Sequence, residues 1–154
     1  MTEAVVAGAL AVTTLNALSG LLGGWLWYWG WPTERSANAF WVLLRVGQGS
    51  ALTLALAVGS LAAAGKYSSD QLFYLYALLP LAVGFIAEQL RVSAAQTTLD
   101  QRGLEDAAAV GRLPESEQRA IVLAVVRREI GVMALSALVV VFLALRAAST
   151  AHGF

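Results

Sequence analysis

Apolar and charged positions fall along this chain in long blocks, not in the short periods of a soluble helix or strand. From Ala4 to Thr33 no side chain is charged, thirty residues in a row. About 20 apolar residues cross the hydrocarbon core of a bilayer, so a first transmembrane helix is expected over Val5–Trp29. No positive charge precedes it, and it outruns the apolar core of a signal peptide, so it reads as a span. Pro32–Asn38, with Glu34 and Arg35, reads as a short polar turn. A second apolar run, Phe40–Ala64, is broken by Arg45 alone, and Gly65–Asp70 forms the next turn. The third run, Leu72–Leu90, contains Pro80, which a membrane helix tolerates, and the helix is expected to continue through Leu99. The last run, Ile130–Leu145, has only sixteen residues and gains length from the segment before it. The pattern predicts four helices, about 5–29, 40–64, 72–99 and 114–147, in a single membrane domain over residues 1–154.

The connection over about 91–129 is the one sizeable polar part. It carries six bases and six acids, and this neutrality argues against a polybasic lipid-sensing patch. Gly103 and Gly111 mark breaks in it. Pro114 suits the first turn of a new helix, with Glu115 and Glu117 near its positive end. The expected fold class is an all-α integral membrane protein, a four-transmembrane-helix bundle with a small helical cytoplasmic cap between helices 3 and 4.

Composition agrees with the pattern and excludes some chemistry. Of the 154 residues, 58% are hydrophobic and 13% charged, against about 25% charged in an ordinary soluble domain. A soluble fold of this size cannot hide that much apolar material, and the excess must face lipid. The absence of Cys removes disulfides, thiolate metal sites and thiol nucleophiles. A formal net charge of zero offers nucleic acid no basic face, so no nucleic-acid partner is expected. The single His, His152, falls in what reads as a frayed, solvated tail, and no metal and no cofactor are expected.

Lys and Arg set the orientation. Arg35, Arg91, Arg102, Arg112, Arg119, Arg127 and Arg128 share one side, against Lys66 and Arg146 on the other. Both chain ends are therefore expected outside the cytoplasm. Nine Arg against one Lys, with heavy use of Ala, points to a GC-rich bacterial genome and so to a bacterial inner membrane.

Helix packing in lipid relies on small residues that let backbones approach. Span 2 carries Gly47, Ala51, Ala55, Gly59 and Ala63 at every fourth position, and span 1 offers Gly20 and Gly24 together with the polar Asn16. The stripe serves either contacts inside one bundle or a seam with a second copy or a partner membrane subunit. Trp25, Trp27, Tyr28, Trp29, Trp31, Phe40 and Trp41 crowd one end of spans 1 and 2. They read as an interfacial belt, or else as an aromatic wall for a ligand in which Trp25, Trp29 and Trp41 take part.

One constellation has possible chemistry. Arg45 lies inside span 2, with Gln48 one turn deeper. Span 3 reaches the same side with Glu88, Gln89 and Arg91, and span 4 begins there with Arg127, Arg128 and Glu129. Charge inside a membrane is costly unless paired, so it marks a candidate ligand site. Three readings stand together: a Glu88–Arg45 pair that fixes helix register, with Arg91 competing for Glu88; a site for a lipid headgroup or small amphipathic ligand; or an ion or proton path.

In size and four-span layout the chain resembles the membrane glutathione-transferase-type proteins, which also place polar residues on the cytoplasmic face. Span 2 reads Arg45-Val-Gly-Gln-Gly-Ser50 and lacks the Asn and Glu expected one and two turns on, so the likeness is one of architecture. The favoured function is a non-enzymatic multi-pass membrane protein, an oligomeric or accessory module in the lipid bilayer with a charged cytoplasmic-face cluster. The alternatives are a membrane enzyme acting on a lipophilic substrate, with Glu88 as acid or base, and a subunit of a homo-oligomeric channel or transporter.

Overall fold

The structure, a computed structural model, describes residues 1–29 and 32–153, so Trp31 of the aromatic cluster lies outside the described residues. Its elements are α1 (Thr2–Trp29), α2 (Glu34–Ala63), α3 (Leu72–Asp100), α4 (Ala107–Val110) and α5 (Glu115–Thr150). Among the described residues there is no strand. The four long helices are each long and apolar enough to cross a membrane. This is an all-α bundle of four spanning helices.

Local chemistry sets the helix ends, and at α2 it departs from the hydropathy pattern. Thr33 caps α2, its Oγ1 accepting from the Ser36 N–H at 3.2 Å while the Ser36 Oγ accepts from the Thr33 N–H at 2.9 Å. This reciprocal box satisfies otherwise free N–H groups, so α2 begins at Glu34, well before Phe40. The polar stretch read as a turn is mostly the first turns of the helix. At the other end Gly65 takes φ 75°, and the Lys66 N–H turns back to the Leu61 carbonyl at 3.0 Å. That left-handed position favours a residue without Cβ. Gly103 (φ 68°) ends α3 in the same way, with the Leu104 N–H on the Leu99 carbonyl at 3.1 Å.

α5 has 36 residues, about 54 Å at 1.5 Å per residue, against a hydrocarbon core of about 30 Å. It therefore runs without a break from the cap into the fourth span, and Pro114 stands just before its first turn. The cap consists of the far ends of α3 and α5 with the short α4 between them. Asp106 caps α4, accepting from the Ala109 N–H at 2.8 Å. Gln118 ties the turn before α5 by donating to the Leu113 carbonyl at 2.7 Å.

Around the bundle, α5 packs broadly against α1 and α3, and α1 packs against α2. The seam between α2 and α3 is the loosest of the four. Two apolar cores fill the interior. One, nearer the chain ends, is built on Val12, Leu54, Val58, Phe73 and Ala144; the other, nearer the cap, on Phe40, Leu44, Ile130 and Met133. Large apolar side chains also cover the outside: Leu21, Leu56, Phe85 and Phe142 are 63–70% exposed. A helix apolar all round is stable only in an apolar surrounding, and the bilayer supplies it.

The C-terminal tail is fixed, contrary to the frayed tail read from the sequence. The His152 carbonyl accepts from the Ser69 N–H at 2.9 Å and from the Ser68 Oγ at 3.0 Å, and Ala151 is fully buried. The α2–α3 turn thus holds the tail by its backbone, a contact that no local pattern announces. The His152 side chain itself is exposed.

Candidate functional site

Helical spacing puts Trp41, Arg45 and Gln48 on one face of α2, and Glu88 and Arg91 on one face of α3. The two helices run in opposite directions, so these faces meet near the cap end of the bundle. The Arg45 Nη1 donates to the Glu88 Oε1 at 2.5 Å and to the Gln48 Oε1 at 2.6 Å. The Arg91 Nε donates to the other Glu88 oxygen at 3.0 Å. Arg91 also lies 4.0 Å from Glu129 on α5 and stacks 5.3 Å from the centre of the Trp41 ring. Two bases and two acids form one neutral chain of contacts across three helices. Each charge has an opposite neighbour, as charges at this depth require.

The two ends of this chain differ in their spare capacity. Both Glu88 oxygens are occupied, and its side chain is 27% exposed. The Arg45 side chain is 51% exposed, and its Nε and Nη2 make no hydrogen bond among the described residues. A guanidinium with free donors at the edge of a membrane suits a phosphate or carboxylate.

Directly below the cluster lies a cavity of about 320 Å³ between α2 and α3. Gln48 and the charged Glu88 form its polar lip, and Leu44, Leu81 and Val140 are among its apolar lining. Its floor carries two neutral polar residues, Asn16 and Ser136. The hollow comes from missing side chains: Gly49 and Gly84 both line it, and a Cβ added to either would meet nothing within 4 Å. Leu52 and Phe85, 48% and 68% exposed, also line it, so the cavity opens sideways toward lipid. Pro80, Gly84 and Glu88 follow one another at four-residue steps along α3. That spacing is a sequence signal for a cavity wall ending in a charge, and hydropathy alone passes over it.

The other candidate residues lie elsewhere. Gln89 is exposed and makes no hydrogen bond among the described residues. Arg127 turns to α1, donating to the Trp27 carbonyl at 2.9 Å with its guanidinium 5.9 Å from the Trp27 ring centre. Arg128 is exposed beside a separate groove between α1 and α5, which Gly24, Trp27 and Leu138 also line. Trp25 and Trp29 are 59% and 61% exposed and do not line the α2–α3 cavity. Of the aromatic wall, Trp41 alone touches the charged cluster, through Arg91.

The small residues also divide. Gly47, Ala51 and Ala55 are buried, while Gly59 and Ala63 are exposed. A four-residue step overshoots the helical turn by about 40°, so the stripe rotates out of the interface along α2. Gly20 packs on α5, where an added Cβ would lie 2.8 Å from Leu138, whereas Gly24 has open space. Sequence reasoning missed Gly23 and Gly131, the closest approaches. A Cβ on Gly23 would overlap the Phe40 ring, and one on Gly131 would lie 2.6 Å from Trp27.

Comparison of the chain with protein-family models, with curated proteins and with solved structures gives no match.

Proposed function

We propose that this is a non-enzymatic multi-pass protein of a bacterial inner membrane, an accessory or oligomeric module whose α2–α3 cavity holds an amphipathic ligand. The anionic head of the ligand meets the free donors of Arg45, and its chain enters the glycine-hollowed cavity below. One observation carries this reading: a laterally open apolar cavity ends at Gln48 and Glu88, and the half-exposed Arg45 is hydrogen-bonded to both. Its volume, about 320 Å³, falls at the small end of ligand pockets, which suits a single chain. In the same reading the cap faces the cytoplasm and both termini lie outside it, as the distribution of Arg implies. The open faces over Gly24 and Gly59 are where a second copy or a partner subunit would pack.

The enzymatic alternative needs a free acid or base, and Glu88 has both oxygens engaged by arginines. The channel alternative needs polar groups along a whole helix face. Within the bundle, the buried polar groups of α1 are Asn16 and Ser19 alone.

The test is native mass spectrometry of the protein extracted in a neutral detergent and titrated with dodecyl phosphate. A retained adduct is expected for the wild type and a loss of at least about tenfold in affinity for Gly84→Leu, which fills the cavity, and for Arg45→Gln. Adducts equal to the wild type in both variants would refute the site. The same spectra report the oligomeric state.

A further inference from the structure

Asn16 sits at the middle of α1 and is 2% exposed. Its Nδ2 donates to the Val12 carbonyl at 2.9 Å and to the Gly47 carbonyl at 3.4 Å. Its Oδ1 accepts no hydrogen bond among the described residues. Yet no polar side-chain atom among them is both fully enclosed and unpartnered. The small residual surface of Asn16 therefore includes this oxygen, and Asn16 lines the cavity.

An amide oxygen in apolar surroundings with no donor is unfavourable, and a donor supplied from the cavity would remove that penalty. A second acceptor lies on the same floor. The Ser136 Oγ spends its proton on the Met133 carbonyl at 2.8 Å, which leaves its lone pairs for incoming N–H or O–H groups. The level of Asn16 follows from its contact with Gly47, the residue before Gln48 in α2. Asn16 thus stands on the cavity floor close to the lip that Gln48 and Glu88 form, and Arg45 bonds that lip.

We infer that the ligand of this cavity carries a hydrogen-bond donor, a hydroxyl or amide N–H, beside its anionic head, and that Asn16 Oδ1 receives it. A fatty-acid anion without such a donor leaves the oxygen unpaired. An N-acyl amino acid or a monoacyl lipid with a free hydroxyl satisfies it. The inference rests on the amphiphile reading of the cavity and narrows its ligand class.

Two probes that differ only in the donor test it: N-dodecanoylglycine, with an amide N–H, and N-dodecanoylsarcosine, in which a methyl group replaces that hydrogen. Both are titrated into the wild-type protein in neutral detergent and into Gly84→Leu, with native mass spectrometry as readout. The expected result is at least about a tenfold preference for the glycine compound in the wild type, and loss of both adducts in Gly84→Leu. Asn16→Ala is expected to bind the two probes equally. Equal affinities in the wild type would overturn the donor inference and leave the cavity reading standing. No adduct with either probe, or adducts untouched by Gly84→Leu, would overturn both. The comparison within the wild type needs no variant to fold.

Discussion

Arg45 reaches across the loosest seam of the bundle to Glu88, joining α2 to α3 where apolar packing between them is thinnest. Glu88 is held from the other side by Arg91, so one carboxylate neutralises two guanidinium groups on two helices. Glu88→Gln removes that charge, leaving Arg45 without an acidic partner among the described residues and Arg91 with Glu129 alone. The expected loss is about 1–2 kcal/mol, limited because Arg45 is 51% exposed and partly screened. Thermal unfolding in detergent measures it. Unchanged stability together with lost dodecyl phosphate binding would show that the pair serves the ligand and does not fix register.

Gly23 and Gly59 give a matched pair of substitutions on neighbouring helices. Gly23→Ala drives a methyl into the Phe40 ring and to 2.8 Å from the Ala134 Cβ, and is expected to cost about 1–3 kcal/mol. Gly59→Ala meets nothing within 4 Å and is expected to leave the unfolding temperature of the monomer unchanged or raised. A lower unfolding temperature for Gly59→Ala, seen only in oligomer-preserving detergent, would locate a seam on that face.

Ser68 fastens the tail through the Thr150 and His152 carbonyls at 3.4 and 3.0 Å. Ser68→Ala is expected to cost about 0.5–1.5 kcal/mol. Hydrogen–deuterium exchange should speed up at the Ser69 amide, which donates to the same His152 carbonyl. Exchange there at the wild-type rate would mean that the backbone bond and the burial of Ala151 hold the tail unaided.

The chain has no Cys, so a single introduced thiol reports its own side of the membrane. With a membrane-impermeant thiol reagent on intact bacterial cells, Lys66→Cys is expected to label and Glu117→Cys to label only after lysis. The reverse result would invert the orientation and place the cap outside the cytoplasm.

Much of the architecture is legible in the sequence, because in a bilayer each backbone polar group must be satisfied within its own helix. Long uncharged runs therefore give the number and order of the spans. Local hydrogen-bond chemistry also leaves marks: Gly65 and Gly103 stop helices where a positive φ is needed. The Thr33–Ser36 box was equally local, but hydropathy passes over it because both residues are polar.

The charged residues gathered toward one face in the sequence, and helical spacing alone put Arg45 beside Gln48 and Glu88 beside Arg91. Which of the remaining arginines would join them depended on how α5 is rotated against its neighbours. Rotation sends Glu129 toward Arg91 and sends Arg127 to the Trp27 carbonyl, although the two residues are two apart in the chain. A helix turns about 100° per residue, so residues two apart face nearly opposite ways, and packing chooses between them. The cavity belongs to the same level. Gly49 and Gly84 are unremarkable as single glycines. They become walls of one hollow only when α2 and α3 are set side by side, beneath the Gln48 and Glu88 that Arg45 ties together.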